Sequence, residues 1–152
     1  MEAGVVAGYP VTDLRAALVG GSTHDVDATP VAYKIAATLA FREAAQKAGP
    51  VLLEPLMKLE IVAPDEYLGD VVGDINARRG KIEGMEMRSG SRVITIHVPL
   101  AEMFGYATTL RTLTQGRGVF AMEFARYERT PQGVQDEIVA RIEGRLPLRA
   151  NA

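Results

Sequence analysis

Residues 57–98 read MKLEIVAPDEYLGDVVGDINARRGKIEGMEMRSGSRVITIHV, and this stretch decides the fold. Apolar and charged residues alternate from Leu56 to Ala63, which predicts a half-buried strand. Pro64 then opens a helical pattern that we expect to close at Gly80, the C′ residue. The apolar stripe of this helix consists of Leu68, Val71, Val72 and Ile75.

The second half of the same region repeats this order. Ile82–Arg88 and Arg92–Val98 flank Ser89-Gly90-Ser91, which predicts a hairpin with a three-residue loop. Pro99 ends the strand, and Val119–Tyr127 forms the last one. A second helix between them is indicated by Leu100, Met103, Phe104, Ala107 and Leu110. The order β-α-β-β-α-β is that of a ferredoxin-like sandwich, an antiparallel sheet with two helices on one face.

The N-terminal part is predicted to be strand, helix, strand. Tyr9–Val19 is the first strand, Thr29-Pro30 caps a helix that stops near Gly49-Pro50, and Val51–Glu54 is a second strand. We place a boundary at Glu54-Pro55. The predicted domains are then 1–54, a partial βαβ unit, 55–130, the ferredoxin-like sandwich, and 131–152, a helix or tail. The fold class is α+β.

Composition limits the function. The chain has 152 residues, no cysteine, two histidines and a net charge of −2. These numbers exclude disulfides, thiolate zinc sites and a broad electrostatic footprint for nucleic acid, and they fit a reducing cytoplasm. There is no apolar run long enough to span a membrane and no metal site is expected. The pair Asp25 and Asp27 fits helix capping, and Glu66, Asp70 and Asp74 fit a solvated acidic face.

Six strings along the chain carry a family resemblance. They are AGYPV (7–11), HDVD (24–27), EP (54–55), GDINARRG (73–80), VPLAEMFGY (98–106) and TQGRG (114–118). Together, and in this order, they resemble the C-terminal end of bacterial elongation factor G over residues 3–130. The resemblance implies that 1–54 is the second half of that family's domain IV, of the ribosomal-protein-S5-like type, and that 55–130 is its domain V.

The resemblance also implies a function. Domain IV of the family reaches the decoding centre of the small ribosomal subunit, where it meets tRNA and mRNA, and domain V faces large-subunit RNA. The expected partner is therefore the ribosome, in the cytoplasm, and the expected role is tRNA–mRNA translocation. GTP and magnesium belong to the family's GTPase domain, and no phosphate-binding Gly-rich loop occurs here. We therefore expect no cofactor, no catalytic residue and no GTP hydrolysis in this chain.

The resemblance suggests which residues contact RNA. Ser22, Thr23 and His24 follow a glycine turn and match the tip of the domain IV arm. Near the end of the second helix, the residues that match the segment approaching the sarcin–ricin loop are Arg111, Thr112, Gln115 and Arg117. Gly116 and Gly118 would let a backbone approach phosphates.

Other basic and titratable residues have simpler interpretations. Arg78 and Arg79 are possible further contacts, although basic residues also favour helix C-termini. His97 is expected on the surface of the sheet.

Three residue patterns depart from the family. The arm loop commonly reads Asp-Gly-Ser-Tyr-His, whereas this chain has Gly20-Gly21-Ser22-Thr23-His24. Ala28-Thr29-Pro30 replaces the usual start of the helix. The segment 111–116 reads RTLTQG and lacks a lysine that the family carries there. The departures leave open a paralogue that acts in ribosome recycling.

Two functions outside translation remain open from the residues alone. One is a stand-alone ferredoxin-like module for oligomerisation or regulation. The other is a small acyl-phosphate hydrolase, which is disfavoured because Asn76 and Arg78 lie on a predicted helix rather than in a strand-to-helix loop. An RNA-recognition motif is disfavoured as well, because the two central strands lack paired aromatic strings.

Self-association through residues 1–54 is expected, by strand pairing or by helix packing. The two N-terminal strands would belong to a sheet whose other strands lie upstream of Met1, and the apolar helix face with Ile35 and Leu39 would lose part of its cover. Open sheet edges pair readily with a second chain. Sedimentation velocity of the whole chain beside residues 55–152 tests this, and we expect concentration-dependent association of the whole chain only. A monomeric whole chain at high concentration would contradict it.

Overall fold

The computed structural model describes residues 4–26 and 28–145. They divide into two compact units, of which one is Leu53–Arg129 and the other combines residues up to Leu52 with residues from Thr130 onward. In chain order the elements are α1 (Pro30–Lys47), β1 (Leu53–Pro64), α2 (Leu68–Ala77), β2 (Lys81–Arg88), β3 (Ser91–Pro99), α3 (Tyr106–Leu113), β4 (Val119–Arg129) and α4 (Gln132–Ile142). Among the described residues, no helix combines the length and the apolar character that a membrane crossing needs.

The unit Leu53–Arg129 is the predicted βαββαβ sandwich. Its sheet has the order β2-β3-β1-β4, and every neighbouring pair is antiparallel. The α+β fold class is therefore confirmed. Alternation along β1 places Leu59 and Ile61 on the face that packs against the helices, opposite Ile96 and Ile94 of β3. The core is completed by Ala63, Val71, Ile75, Val98, Met103, Tyr106 and Leu110.

The first strand of this unit runs across the predicted boundary. β1 pairs with β4 from Leu53 onward, so Val51 and Leu52 lie outside the strand and Glu54-Pro55 lies inside it. Proline is tolerated there because Pro55 pairs only with Tyr127 of β4, while pairing with β3 begins one residue later at Leu56. The prediction of two strands separated at this point was wrong.

The hairpin loop is one residue shorter than predicted. Arg88 pairs with Ser91, which leaves only Ser89 and Gly90 in the turn. Both have positive φ, 51° and 81°, as a two-residue turn of the I′ type requires. This turn matches the right-handed twist of the two strands.

The helices of the sandwich begin later than the sequence indicated. A single 3₁₀ turn, Asp65–Tyr67, precedes α2, and another, Leu100–Glu102, follows Pro99. α3 begins only at Tyr106, after Gly105 with a φ of 74°. Phe104, predicted to lie on the apolar stripe, is 70% exposed because it precedes this bend.

The other unit contains α1 and α4. The predicted cap of α1 is confirmed, because Thr29 Oγ1 accepts a hydrogen bond from the amide of Ala32 at 3.2 Å. The predicted C-terminal helix is confirmed as α4. Its residue Gln135 accepts a hydrogen bond from the Leu52 amide at 2.9 Å, and the Leu52 carbonyl accepts one from the Thr130 amide at 2.9 Å.

Tyr9–Val19 does not form the predicted strand. A strand needs a partner for its amides and carbonyls, and none of the described strands pairs with this segment. Leu18 and Val19 are 96% and 98% exposed, and α1 has no buried residue. Self-association through residues 1–54 stays a prediction. For the helix-packing route, the structure shows that Ile35 and Leu39 of α1 are exposed.

Gly80 offers a direct test of how α2 is joined to β2. A Cβ at this position would lie 2.5 Å from Ile75 Cγ2 and 2.9 Å from the Ile75 carbonyl oxygen, whereas one at Gly84 would meet nothing within 4 Å. We expect Gly80→Ala to lower the free energy of unfolding by about 2 kcal/mol, because a backbone carbonyl in a helix end cannot move aside. Gly84→Ala, the control, should change it by less than about 0.5 kcal/mol. Urea titrations followed by circular dichroism measure both, and equal midpoints would contradict the packing.

Candidate RNA-binding surfaces

The first candidate surface is the turn that precedes α1. Ser22, Thr23 and His24 are all exposed in an irregular segment. The carbonyl of His24 accepts a hydrogen bond from the Ala28 amide at 3.1 Å, which closes the chain into a turn. His24 begins this turn, and Ser22 and Thr23 directly precede it in the same exposed segment.

Asp25, predicted to take part in helix capping, does not cap α1. Its cap is Thr29, as described above, and Asp25 is exposed beside it. Asp27 lies outside the described residues. Within residues 4–26 and 28–145, no group of three or more His, Cys, Asp or Glu residues could hold a metal ion.

The second candidate surface is the loop between α3 and β4, which is built around a buried threonine. Thr114 is fully buried, and its hydroxyl donates to the Leu110 carbonyl at 2.7 Å and accepts from the Gly118 amide at 2.8 Å. A Cβ at residue 118 would lie 2.7 Å from Thr114 Oγ1. Gly118 therefore serves the packing of Thr114, which is a different role from the predicted approach to phosphate.

The same loop turns through two residues in the left-handed region. Gln115 has a φ of 51° and Gly116 a φ of 78°. The Gly116 amide donates to the Arg111 carbonyl at 2.8 Å, which satisfies a carbonyl at the end of α3. The turn thus has the geometry of a glycine-terminated helix, and it presents the side chain of Gln115 outward.

The four predicted residues of this loop are exposed but differ in their partners. Arg111 and Gln115 make no side-chain hydrogen bond or ion pair with any residue that the structure describes. The hydroxyl of Thr112 donates to the Thr108 carbonyl at 3.0 Å. An open depression of about 260 Å³ lies beside them, lined in part by Arg111, Gly116 and Phe120.

Arg117 is held by two neighbours from the connection between β1 and α2. Its Nη2 lies 2.6 Å from Glu66 Oε1 and donates to the hydroxyl of Tyr67. Its guanidinium carbon lies 4.7 Å from the centre of the Tyr67 ring. The hydrogen bond with Tyr67, followed by that with Glu66, raises the pKa of Arg117 above its ordinary value.

Glu66 and Tyr67 were not predicted to belong to this surface, and Glu66 was assigned to a solvated acidic face. The pairing of the strands indicates that these two residues lie near Arg117. Because β1 and β4 are antiparallel and Val62 pairs with Val119, the end of β1 and the start of β4 lie at the same edge of the sheet. The connections 64–67 and 114–118 therefore meet there.

The side chain of Arg78 forms contacts within the protein. Its Nε lies 2.8 Å from Asp74 Oδ2, its Nη1 donates to the Glu102 carbonyl at 2.5 Å, and its Nη2 donates to Thr109 Oγ1 at 3.1 Å. Its guanidinium also lies 5.2 Å from the centre of the Tyr106 ring. Arg78 therefore joins α2 to α3, and Asp74 belongs to this contact rather than to a solvated face.

Arg79 is likewise engaged with carboxylates. Its φ is 60°, so Arg79, and not Gly80, takes the left-handed position after α2. It donates to both oxygens of Glu54, at 3.0 and 2.8 Å, and to Glu102 at 3.3 Å. The hydrogen bond with Glu54 is the main cause that raises the pKa of Arg79.

His97 is more buried than predicted. It lies on the sheet but is only 9% exposed, and its Nδ1 is 2.8 Å from Glu83 Oε1. The register of β2 against β3 shifts between Ile82 and Gly84, so Glu83 is an extra residue beside His97.

Two family models match successive parts of the chain. The model "Elongation factor G, domain IV" matches residues 1–49, and "Elongation factor G C-terminus" matches residues 51–138. A crystal structure of a protein from Thermus thermophilus is 42% identical, with a TM-score of 0.79. The similarity covers 94% of this chain and 22% of that one, so this chain spans about a fifth of the length of that protein.

Measurements of the free energy of unfolding can distinguish the structural role of Arg79 from the role of the exposed Arg111. Arg79→Ala would leave Glu54 largely buried without its partner, so we expect the free energy of unfolding to fall by about 2 kcal/mol. Arg111→Ala removes no side-chain hydrogen bond or ion pair with a described residue and should change the free energy of unfolding by less than about 0.5 kcal/mol. Thermal and urea unfolding of both variants measure this. Equal stabilities would show that the Arg79–Glu54 contact does not support the fold.

Proposed function

The chain belongs to the elongation factor G family, and from that premise we propose that it is the ribosome-binding C-terminal portion of a translational GTPase that promotes tRNA–mRNA translocation. The observation that supports this most is the loop between α3 and β4. Its backbone is fixed by the buried Thr114, while Arg111 and Gln115 stand exposed with no partner among the described residues.

The chemistry of this loop suits RNA of the large subunit. A free guanidinium binds phosphate oxygens, and an amide side chain can donate to a phosphate or a ribose hydroxyl and accept from one. The whole chain has a net charge of −2, so binding would depend on such placed groups and not on bulk attraction. Recognition would therefore follow the shape of the RNA backbone more than its sequence.

The turn before α1 would serve the other subunit. Ser22, Thr23 and His24 offer two hydroxyl groups and an imidazole on an exposed turn. An imidazole can stack on a base or donate to a phosphate, and hydroxyl groups can bond to either ribose or phosphate. We assign this turn to the tRNA–mRNA complex at the decoding centre.

The chain itself would not be an enzyme. The two matching family models are those of domain IV and of the C-terminus. GTP and magnesium would be bound by the GTPase domain of the complete factor, which acts in the cytoplasm with the ribosome. The residues described above would then position the factor, without taking part in hydrolysis.

Binding of this chain to isolated large ribosomal subunits, measured as a function of salt, tests the proposal. Arg111→Ala should weaken binding and flatten the slope of log K against log salt by about one, because one phosphate contact is lost. Gln115→Ala should weaken binding with little change of slope.

Arg88→Ala is the matched control, because Arg88 is an exposed arginine of β2 whose side chain pairs with Glu86 at 2.7 Å and with no other residue in the described part of the chain. Its affinity and slope should equal those of the unmodified chain. The proposal fails if Arg111→Ala and Gln115→Ala bind as tightly as this control and with the same slope.

A further inference from the structure

We propose that Arg117 contacts RNA through the flat face of its guanidinium group, on which an unpaired base stacks, and that Tyr67 is the positioning residue that holds this face in place. The inference rests on the proposed function and deepens it. It assigns phosphate binding to Arg111 and base stacking to Arg117, although both residues are arginines of one surface.

The charge of Arg117 is already compensated. Its Nη2 is 2.6 Å from Glu66 Oε1, and both side chains are more than half exposed. The pair carries no net charge, so a phosphate approaching Arg117 would also approach a carboxylate. Arg111 has no such neighbour among the described residues and retains its full attraction for phosphate.

Arg117 is held by Tyr67 and stays half exposed. The guanidinium lies over the Tyr67 ring at 4.7 Å, and the hydroxyl of the same ring accepts a hydrogen bond from Nη2. Tyr67 is half-buried and lies against the guanidinium, while 51% of the Arg117 side chain is exposed. Guanidinium planes and aromatic rings are the surfaces on which proteins stack unpaired RNA bases.

The backbone on both sides of this group is fixed. The Arg117 amide donates to the Thr114 carbonyl at 3.0 Å, and the next amide, that of Gly118, donates to the Thr114 hydroxyl. Stacking gains most from a plane that is oriented before the ligand arrives, because less side-chain freedom is lost on binding. Arg117 meets this condition, whereas the free side chain of Arg111 does not.

One loop would therefore offer two kinds of contact. Arg111 and Gln115 offer a cation and an amide, and Arg117, held by Tyr67, offers its planar guanidinium group. A nucleotide whose base is turned out of a helix presents both a phosphate and an exposed base face, so it fits this pair of contacts. The bases of a continuous duplex are covered by their neighbours and would leave the guanidinium plane unused.

Substitution of Arg117 by lysine distinguishes stacking from charge, because lysine keeps the positive charge and lacks the planar guanidinium group. With isolated large ribosomal subunits as the probe, we expect Arg117→Lys to weaken binding by about tenfold with an unchanged salt slope. Arg117→Ala should weaken binding at least as much, because it also leaves the Glu66 carboxylate uncompensated. Tyr67→Ala should weaken binding to a similar extent because the plane is no longer held. Tyr67→Phe keeps the ring and should retain most of the affinity. Circular dichroism and urea midpoints establish that all four variants are folded.

The proposal is overturned if Arg117→Lys binds as tightly as the unmodified chain while Arg117→Ala flattens the salt slope by about one, since Arg117 would then be a phosphate contact. It is also overturned if Tyr67→Ala binds normally, or if Tyr67→Phe loses as much affinity as Tyr67→Ala. Arg111→Ala separates this failure from that of the proposed function. If Arg111→Ala flattens the salt slope, the proposed RNA-binding surface is supported even when the stacking role of Arg117 is refuted. If every variant binds normally, both proposals are refuted.

Discussion

The buried hydroxyl of Thr114 forms two hydrogen bonds, and these determine the shape of the candidate large-subunit surface. Thr114 Oγ1 donates to the last turn of α3 and accepts from the amide that begins the approach to β4. With no room for a side chain at Gly118, the four residues from 114 to 117 have one way to connect the helix to the strand. The side chains of Arg111, Gln115 and Arg117 are displayed from this fixed backbone, so their positions follow from an internal constraint.

Five arginines near the ends of the helices and strands illustrate how context decides the role of a residue type. Arg78 and Arg79 satisfy carboxylates and carbonyls within the protein and connect α2 to α3 and to β1. Arg92 pairs with Asp65 at 2.6 Å, near the end of β1 that leads into α2. Arg117 is compensated by Glu66 yet half exposed, and Arg111 is exposed without a partner in the described part of the chain. Exposure and pairing, more than sequence position, therefore separate the structural arginines from those that we propose to bind RNA.

The sequence predicted the order of the elements better than their ends. Alternation along Leu59, Ile61, Ile94 and Ile96 indicated a sheet with one buried face, because burial of that face depends only on local period. The turn at Ser89-Gly90 and the late start of α3 depend on single φ angles, which periodicity does not report. Tyr9–Val19 has the composition of a strand, but a strand exists only where another supplies its hydrogen bonds. The contact between Glu66 and Arg117 joins residues far apart in the chain, so it could not be predicted without knowledge of the strand pairing.

Directed cleavage of ribosomal RNA from a single tethered position tests the central claim that the α3–β4 loop faces the large subunit. The chain has no cysteine, so Thr112→Cys gives one attachment point beside Arg111 while leaving Arg111, Gln115 and Arg117 intact. Arg88→Cys on β2 provides the reference position. With an iron chelate at each site, we expect cleavage confined to one loop of large-subunit RNA from residue 112 and none at that loop from residue 88. Absence of cleavage from residue 112, or the same pattern from both positions, would contradict the account.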